Sequence, residues 1–88
     1  PSRIKLSQID VGKSYRIIAV KDNSTKFLQY VDQLELKIND VIEVVKKEEF
    51  DELMTIQYKG KTNIVSPLFT DNIYVVCSKC NKGKDCKC

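Results

Sequence analysis

All four cysteines of the chain fall within its last twelve residues, as Cys77, Cys80, Cys86 and Cys88, and the chain contains no histidine. Residues 1–76 therefore have neither disulfides nor thiolate ligands, and they must fold by burying apolar side chains. A chain of 88 residues forms at most one small domain, which buries somewhat more than roughly 60% of the surface that the unfolded chain exposes. We predict a domain at residues 1–76 and a cysteine- and lysine-rich tail at residues 77–88.

The net charge of +3 comes entirely from the tail, which holds four lysines and one aspartate. Residues 1–76 carry eleven basic and eleven acidic side chains. Because nucleic-acid surfaces need clustered excess positive charge, this balance argues against direct DNA or RNA binding by the domain. The sequence also lacks an apolar run of about eighteen residues and a basic-then-apolar N-terminus. We therefore expect a cytoplasmic protein that does not insert into a membrane.

Short segments rich in β-branched and aromatic residues, separated by polar turns, predict a mainly β fold. Met54, Ile56 and Tyr58 alternate with polar residues, which places them on one face of a strand. Lys59-Gly60 fits a two-residue hairpin turn after that strand. The predicted strands cover residues 15–20, 41–46, 53–58, 61–66 and 72–76, with a single helical turn at residues 67–71.

One helix is predicted between the first two strands, over residues 25–36. Ser24 precedes it as the N-cap, because its hydroxyl can accept a hydrogen bond from a backbone N–H of the first turn. Apolar residues recur at spacings of three and four along one stripe, which we expect to cover the core. This stripe consists of Phe27, Leu28, Val31 and Leu34. Five short, mostly antiparallel strands with one helix after the first indicate a small SH3-like barrel.

The order of motifs along the chain is similar to a known family. The chain opens with Leu6-x2-Ile9-x2-Gly12, continues with the capped helix, and ends its domain with the segments 63–66 and 73–75. Across residues 5–76 this arrangement resembles the FeoA-like domain. Within that group, the segments 21–32 and 50–56 are most similar to the C-terminal SH3-like domain of metal-dependent repressors of the diphtheria toxin repressor type.

The resemblance implies a regulatory protein-interaction domain of an iron- or manganese-dependent bacterial transcriptional repressor. On this interpretation the domain modulates the DNA-binding and dimerisation domains of its own regulator, and the chain is a fragment of that longer protein. A regulatory Fe²⁺ or Mn²⁺ would bind in the parent protein, and DNA would be contacted only through a winged-helix domain that is absent here. The alternative is a stand-alone FeoA-type accessory protein of ferrous iron transport, whose partner would be an iron transporter.

Two positions depart from the family pattern. The family commonly has glycine after the helix and in the next turn, whereas this chain has Glu35 and Asn39. Asn tolerates a left-handed backbone, while Glu is less suited to it, so we expect the end of the helix to differ. Some repressors also place a Glu and a Gln of this domain on the regulatory metal. Residues 21–24 read Lys-Asp-Asn-Ser, so that ligand role is not transferred to this chain.

Enzymatic function has little support in the sequence. The usual base for a Ser or Cys nucleophile is missing because there is no histidine, and the carboxylates form no recognisable catalytic pair. We therefore expect no enzymatic activity. The acidic residues of one hairpin loop are interpreted as a solvated tip that discourages edge pairing, in preference to a hard-cation site with oxygen ligands. These residues are Glu48, Glu49, Asp51 and Glu52.

The aromatic residues do not alternate with basic residues as a nucleic-acid stacking platform would. We expect them to pack in the core and at its rim. SH3-like barrels also bind partners, often as extended peptides across an aromatic groove. The residues concerned are Tyr15, Phe27, Tyr30, Tyr58 and Tyr74.

The tail predicts a four-thiolate metal site at Cys77, Cys80, Cys86 and Cys88. Thiolates bind Zn²⁺ tetrahedrally, and Cys-x2-Cys is the usual spacing for half of such a site, while Fe²⁺ also accepts all-sulfur ligation. Three alternatives stay open. The thiols are reduced in a disordered terminus, they form disulfides, or Cys77 is a core residue that continues the apolar alternation of the last strand.

Overall fold

Alternation of apolar and polar residues gives the chain its strands, and a computed structural model describes residues 4–78. Six antiparallel strands form one sheet in the order β1-β6-β2-β3-β4-β5. The prediction of a mainly β, SH3-like fold is therefore confirmed. The strands are β1 (Ile4–Lys5), β2 (Ser14–Val20), β3 (Val41–Lys47), β4 (Met54–Tyr58), β5 (Lys61–Val65) and β6 (Ile73–Cys77). The helices are α1 (Thr25–Gln33) and α2 (Pro67–Thr70), with a 3-10 turn at Leu6–Gln8.

Strand β1 was not predicted, because two residues are too short to show a periodic pattern. It adds a sixth strand to the five expected, and it pairs with β6 through Ile4 opposite Val75 and Lys5 opposite Tyr74. The 3-10 turn that follows places Leu6 in the core with no exposed surface. Leu6 and Ile9 therefore anchor the start of the domain to the hydrophobic core.

Two irregularities in the ladders bend the sheet. The register shifts between Ile17 and Ala19 where β2 pairs with β6, and between Val44 and Lys46 where β3 pairs with β4. A bulge increases the local twist and bends the strand that carries it. These bends curl the sheet around a single core, as in a partly open barrel whose edge strands are β1 and β5.

The core is built from the inward residues of β2 to β6 together with Leu6, Ile9, Leu36 and Phe69. Met54, Ile56 and Tyr58 are all buried, so the predicted inward face of β4 is confirmed. The largest side chains with almost no exposed surface are Phe69, Leu6, Ile42, Met54, Ile56 and Ile73. Burial of each large apolar side chain stabilises the fold by roughly 1.5–3 kcal/mol.

Helix α1 covers the core less completely than its sequence predicts. Phe27, Val31 and Leu34 pack against the core while partly exposed, but Leu28 is 45% exposed, and its predicted place on the buried stripe is wrong. The helix ends at Gln33 instead of residue 36. Only a narrow face of this short helix contacts the sheet, and the chain then turns so that Leu36 reaches the core from outside the helix.

The turns follow the predicted chemistry. Asn39 has φ 80°, as expected for a left-handed position. Lys59 and Gly60 have φ values of 51° and 77°. Both values are positive, as a type I′ hairpin turn requires.

Between residues 4 and 78, no helix is long and apolar enough to cross a membrane.

Candidate protein-interaction surface

An open groove of about 420 Å³ lies between α1 and α2. We call it the α1–α2 groove. Its floor is apolar, because it is lined by the aromatic ring of Phe69, which is buried and only 1% exposed. At its rim, Leu68 is 81% exposed, and Asp22 and Lys26 place one charge of each sign beside the opening. An apolar floor with a mixed polar rim is typical of a site for a protein segment.

Three aromatic rings form the inner surface of the groove. The rings of Phe27 and Phe69 are stacked, with centroids 6.0 Å apart and an interplanar angle of 26°. Tyr30 meets Phe69 edge to face, with a centroid distance of 5.6 Å and an angle of 72°. Both arrangements are favourable aromatic geometries. Because Phe27 and Tyr30 are one helical turn apart, the helix presents both rings to the same side of α2.

Local sequence fixes the start of α1. The Ser24 hydroxyl accepts a hydrogen bond from the Phe27 amide at 3.3 Å, which confirms the predicted N-cap. Asp22 Oδ1 in turn accepts from the Ser24 amide at 2.8 Å. Together these contacts hold the backbone that carries Phe27 at the opening of the groove.

Helix α2 is a single turn that polar contacts hold in place. Pro67 occupies its first turn, where a missing N–H costs nothing. Asn72 Nδ2 donates to the Leu68 carbonyl at 2.7 Å, and the Ser7 hydroxyl donates to Asp71 Oδ1 at 2.6 Å. This short element therefore has a defined position, so the exposure of Leu68 is a property of the fold.

The opposite end of α1 is fixed by a hydrogen-bonded link that we call the Tyr58 clamp, formed by Tyr58, Asn63 and the Leu34 carbonyl. The Tyr58 hydroxyl donates to the Leu34 carbonyl at 2.6 Å and accepts from Asn63 Nδ2 at 2.7 Å. Leu34 is the C-cap of α1, so Tyr58 satisfies a carbonyl that the helix itself leaves without a partner. Burial raises the pKa of Tyr58 above its ordinary value, while the hydrogen bond from Asn63 opposes that rise. The clamp joins α1 to the hairpin of β4 and β5.

Ion pairs explain how Glu35 occupies a position where the family commonly has glycine. Glu35 has φ 60°, a conformation that costs a non-glycine residue roughly 1–2 kcal/mol. Its carboxylate pairs with Lys61 Nζ, and its carbonyl accepts from Lys59 Nζ at 2.8 Å. Lys59 also lies 3.1 Å from Asp40. These contacts connect the turn after α1 to the β4–β5 hairpin, and they offset part of the backbone strain.

The predicted four-thiolate site lies mostly outside the described residues. Cys77 ends β6 opposite Tyr15, is 3% exposed and is disulfide-bonded. Its burial agrees with the apolar alternation of the last strand. Cys80, Cys86 and Cys88 fall beyond residue 78, as does the rest of the tail after Ser78, so the metal site and the domain boundary at residue 76 stay predictions.

The acidic hairpin loop has internal partners for two of its carboxylates. Glu48 lies 2.9 Å from Lys46, and this contact raises the pKa of Lys46 through a hydrogen bond and through charge attraction. Asp51 Oδ1 accepts from the Leu53 amide at 3.1 Å. Within residues 4–78, no group of three acidic or cysteine side chains is placed to hold a metal ion.

The groove itself was not identified from the sequence. The sequence pattern predicts core and rim packing for Phe27 and Tyr30, and it places Leu68 and Phe69 only within a single helical turn. One signal was available. A single turn carrying two adjacent large apolar residues after a proline can bury only one of them, so the other must be exposed.

The chain matches one known sequence family and several solved structures. The sequence model of the FeoA domain matches residues 4–77. No curated protein sequence matches at a significant level. A manganese-dependent transcriptional repressor in complex with manganese superposes with a TM-score of 0.81 at 18% identity, over 88% of this chain and 37% of the repressor. The chain therefore spans little more than a third of that protein.

Two structures of FeoA type also match. A FeoA-like protein from Clostridium acetobutylicum superposes with a TM-score of 0.78 at 12% identity, over 88% of both chains. Iron(II) transport protein A from Clostridium thermocellum has a TM-score of 0.76 at 16% identity, over 84% of this chain and 45% of that one. At these identities the structures share the fold. Since the family match covers nearly the whole described region, the chain belongs to the FeoA domain family.

Proposed function

We propose that the chain is the regulatory protein-interaction domain of an iron- or manganese-dependent bacterial transcriptional repressor. The observation that carries the proposal is the α1–α2 groove, whose apolar floor and exposed Leu68 suit a protein segment. The likeness to a manganese-dependent repressor supports the choice of parent protein. In this role the domain acts through contact and carries out no reaction.

The occupant of the groove would be another segment of the same regulator. The rim pairs one acidic with one basic residue, Asp22 and Lys26, so a neutral, largely apolar segment fits it better than a strongly charged one. Docking such a segment would fix the orientation of the domain relative to the DNA-binding and dimerisation domains. Metal-dependent repression in the cytoplasm would then depend on whether the groove is filled.

The regulatory Fe²⁺ or Mn²⁺ would bind elsewhere in the parent protein, because the segment 21–24 offers neither the Glu nor the Gln that some repressors use. DNA would likewise be bound by a winged-helix domain outside this chain. In the reduced protein, the cysteines of the tail would add a separate Zn²⁺ or Fe²⁺ site.

A second candidate is a stand-alone FeoA-type accessory protein whose partner is a ferrous iron transporter. The observation that favours it is the match to the FeoA-like protein of Clostridium acetobutylicum, which is of similar length because 88% of both chains superpose. In this case the α1–α2 groove would receive a segment of the transporter.

The coding sequence that surrounds this chain separates the two candidates. The repressor proposal predicts an in-frame winged-helix segment upstream of residue 1. An isolated short reading frame beside a large transporter gene would overturn it and support the accessory role.

A further inference from the structure

The two edges of the sheet differ in how they are protected. Proteins protect edge strands from pairing with other chains by shortness, bulges, proline or free charges. Strand β1 is protected by its length of two residues. Strand β5 has five residues, contains no proline, and keeps an unbroken register with β4 from Tyr58 opposite Lys61 to Met54 opposite Val65.

The backbone of β5 has hydrogen-bonding groups that face away from β4. In the two-residue turn the Tyr58 carbonyl and the Lys61 amide form the closing hydrogen bond. Because such pairs alternate along an antiparallel ladder, Lys61, Asn63 and Val65 bond to β4. The N–H and C=O groups of Thr62 and Ile64 therefore point to the free edge, and within residues 4–78 β5 pairs with β4 alone.

The side chains of β5 leave this edge without a free charge. Lys61 would ordinarily discourage pairing, but its ammonium group is drawn back to the Glu35 carboxylate. Asn63 is turned toward Tyr58. The other residues of the strand are uncharged, and Ile64 is 64% exposed. The edge is therefore regular, neutral and partly apolar.

We propose that β5 pairs antiparallel with β5 of a second copy of this chain, joining two six-stranded sheets into one. A two-fold axis at Asn63 places Thr62 opposite Ile64 of the second copy, so both residues exchange their free backbone hydrogen bonds. The pairing brings β-branched side chains together across the interface, which is favourable in sheets. It also sets Lys61 opposite Val65 instead of another lysine, so no like charges meet. The inference does not depend on which parent protein carries the domain.

The test is sedimentation velocity of the reduced chain over a range of concentrations. We expect a weak, concentration-dependent dimer, because one short strand pair is smaller than a stable interface. Thr62→Pro removes an edge N–H that β4 does not use, and proline is tolerated at such a position. It should weaken the dimer about tenfold or more, since two symmetric hydrogen bonds are lost. Thr62→Val keeps the N–H and should leave the dimer intact.

Ile64→Lys provides a second variant that leaves the backbone unchanged. It adds one lysine per copy, at diagonally related positions on the same face of the joined sheet, where the two like charges repel. Amide NMR of the unmodified chain gives the positional readout. The Thr62 and Ile64 resonances should shift with concentration, and the Asn63 amide, which bonds to β4, should shift less. A monomer at about 1 mM chain, or a dimer that persists in both Thr62→Pro and Ile64→Lys, would overturn the proposal. So would protection of the Thr62 amide that does not change with concentration.

Discussion

The Tyr58 clamp makes a quantitative prediction about stability. Tyr58→Phe removes a part-buried hydroxyl that joins the Leu34 carbonyl to Asn63. A net hydrogen bond contributes about 0.5–1.5 kcal/mol, and each buried group left without a partner costs about 1–3 kcal/mol. Because both groups are only part-buried, we expect the free energy of unfolding to fall by about 1.5–3 kcal/mol.

Urea unfolding of the reduced protein, followed by circular dichroism, measures this loss. For a domain of this size it corresponds to a fall in Tm of roughly 6–24 °C. The matched control is Tyr30→Phe, because the Tyr30 hydroxyl has no hydrogen-bond partner among residues 4–78, and it should change stability by no more than about 0.5 kcal/mol. Equal losses in Tyr58→Phe and Tyr30→Phe would refute the reasoning. A double-mutant cycle with Asn63→Ala then isolates the coupling between the two clamp side chains.

Four further outcomes follow from the structure. The free energy of unfolding should fall as pH rises above the ordinary Tyr pKa of 10.0, because burial raises the pKa of Tyr58 and favours its neutral phenol in the fold. In urea titrations over the same pH range, Tyr58→Phe should lose less stability. Gly60→Ala should lower the free energy of unfolding by about 1–2 kcal/mol, through the positive φ alone, since a Cβ there meets nothing within 4 Å. Gly60→Asn should recover most of that loss in the same assay. Ser24→Ala should cost about 1 kcal/mol by removing the N-cap of α1, measured as a change in urea midpoint. Native mass spectrometry of the reduced chain with Zn²⁺ should show one bound ion that a Cys86→Ser, Cys88→Ser variant fails to retain, and equal retention by both would exclude the thiolate site.

Local patterns predicted the parts of the fold that depend on neighbours in sequence. The inward face of β4, the Ser24 cap and the Lys59-Gly60 turn all follow from residues within a few positions of one another. The early end of α1 could not be predicted in this way. It depends on the hydrogen bond from Tyr58 to the Leu34 carbonyl and on the lysines of the β4–β5 hairpin that stabilise Glu35. Those contacts join residues more than twenty positions apart, and no periodic pattern reports them.

The candidate site was less accessible to sequence reasoning for the same reason. Phe27 and Phe69 stack only because the sheet brings α1 and α2 together. Each residue alone is an ordinary apolar position in a helix. The cysteine pattern, by contrast, is visible in sequence at once, but its chemistry lies beyond the described residues. The family resemblance supplied what neither pattern could, namely the class of protein in which such a groove would act.

The most direct test of the regulatory role measures operator binding by the full-length parent regulator as a function of Mn²⁺ or Fe²⁺ concentration. Leu68→Asp alters the exposed rim of the α1–α2 groove without disturbing the core, and Ile38→Asp changes another exposed apolar residue, which lies outside the groove and is 48% exposed. The account predicts that Leu68→Asp shifts the half-saturating metal concentration about fivefold or more, while Ile38→Asp leaves it unchanged. A parent protein that binds no operator, or an identical metal response in Leu68→Asp and the unmodified regulator, would contradict it.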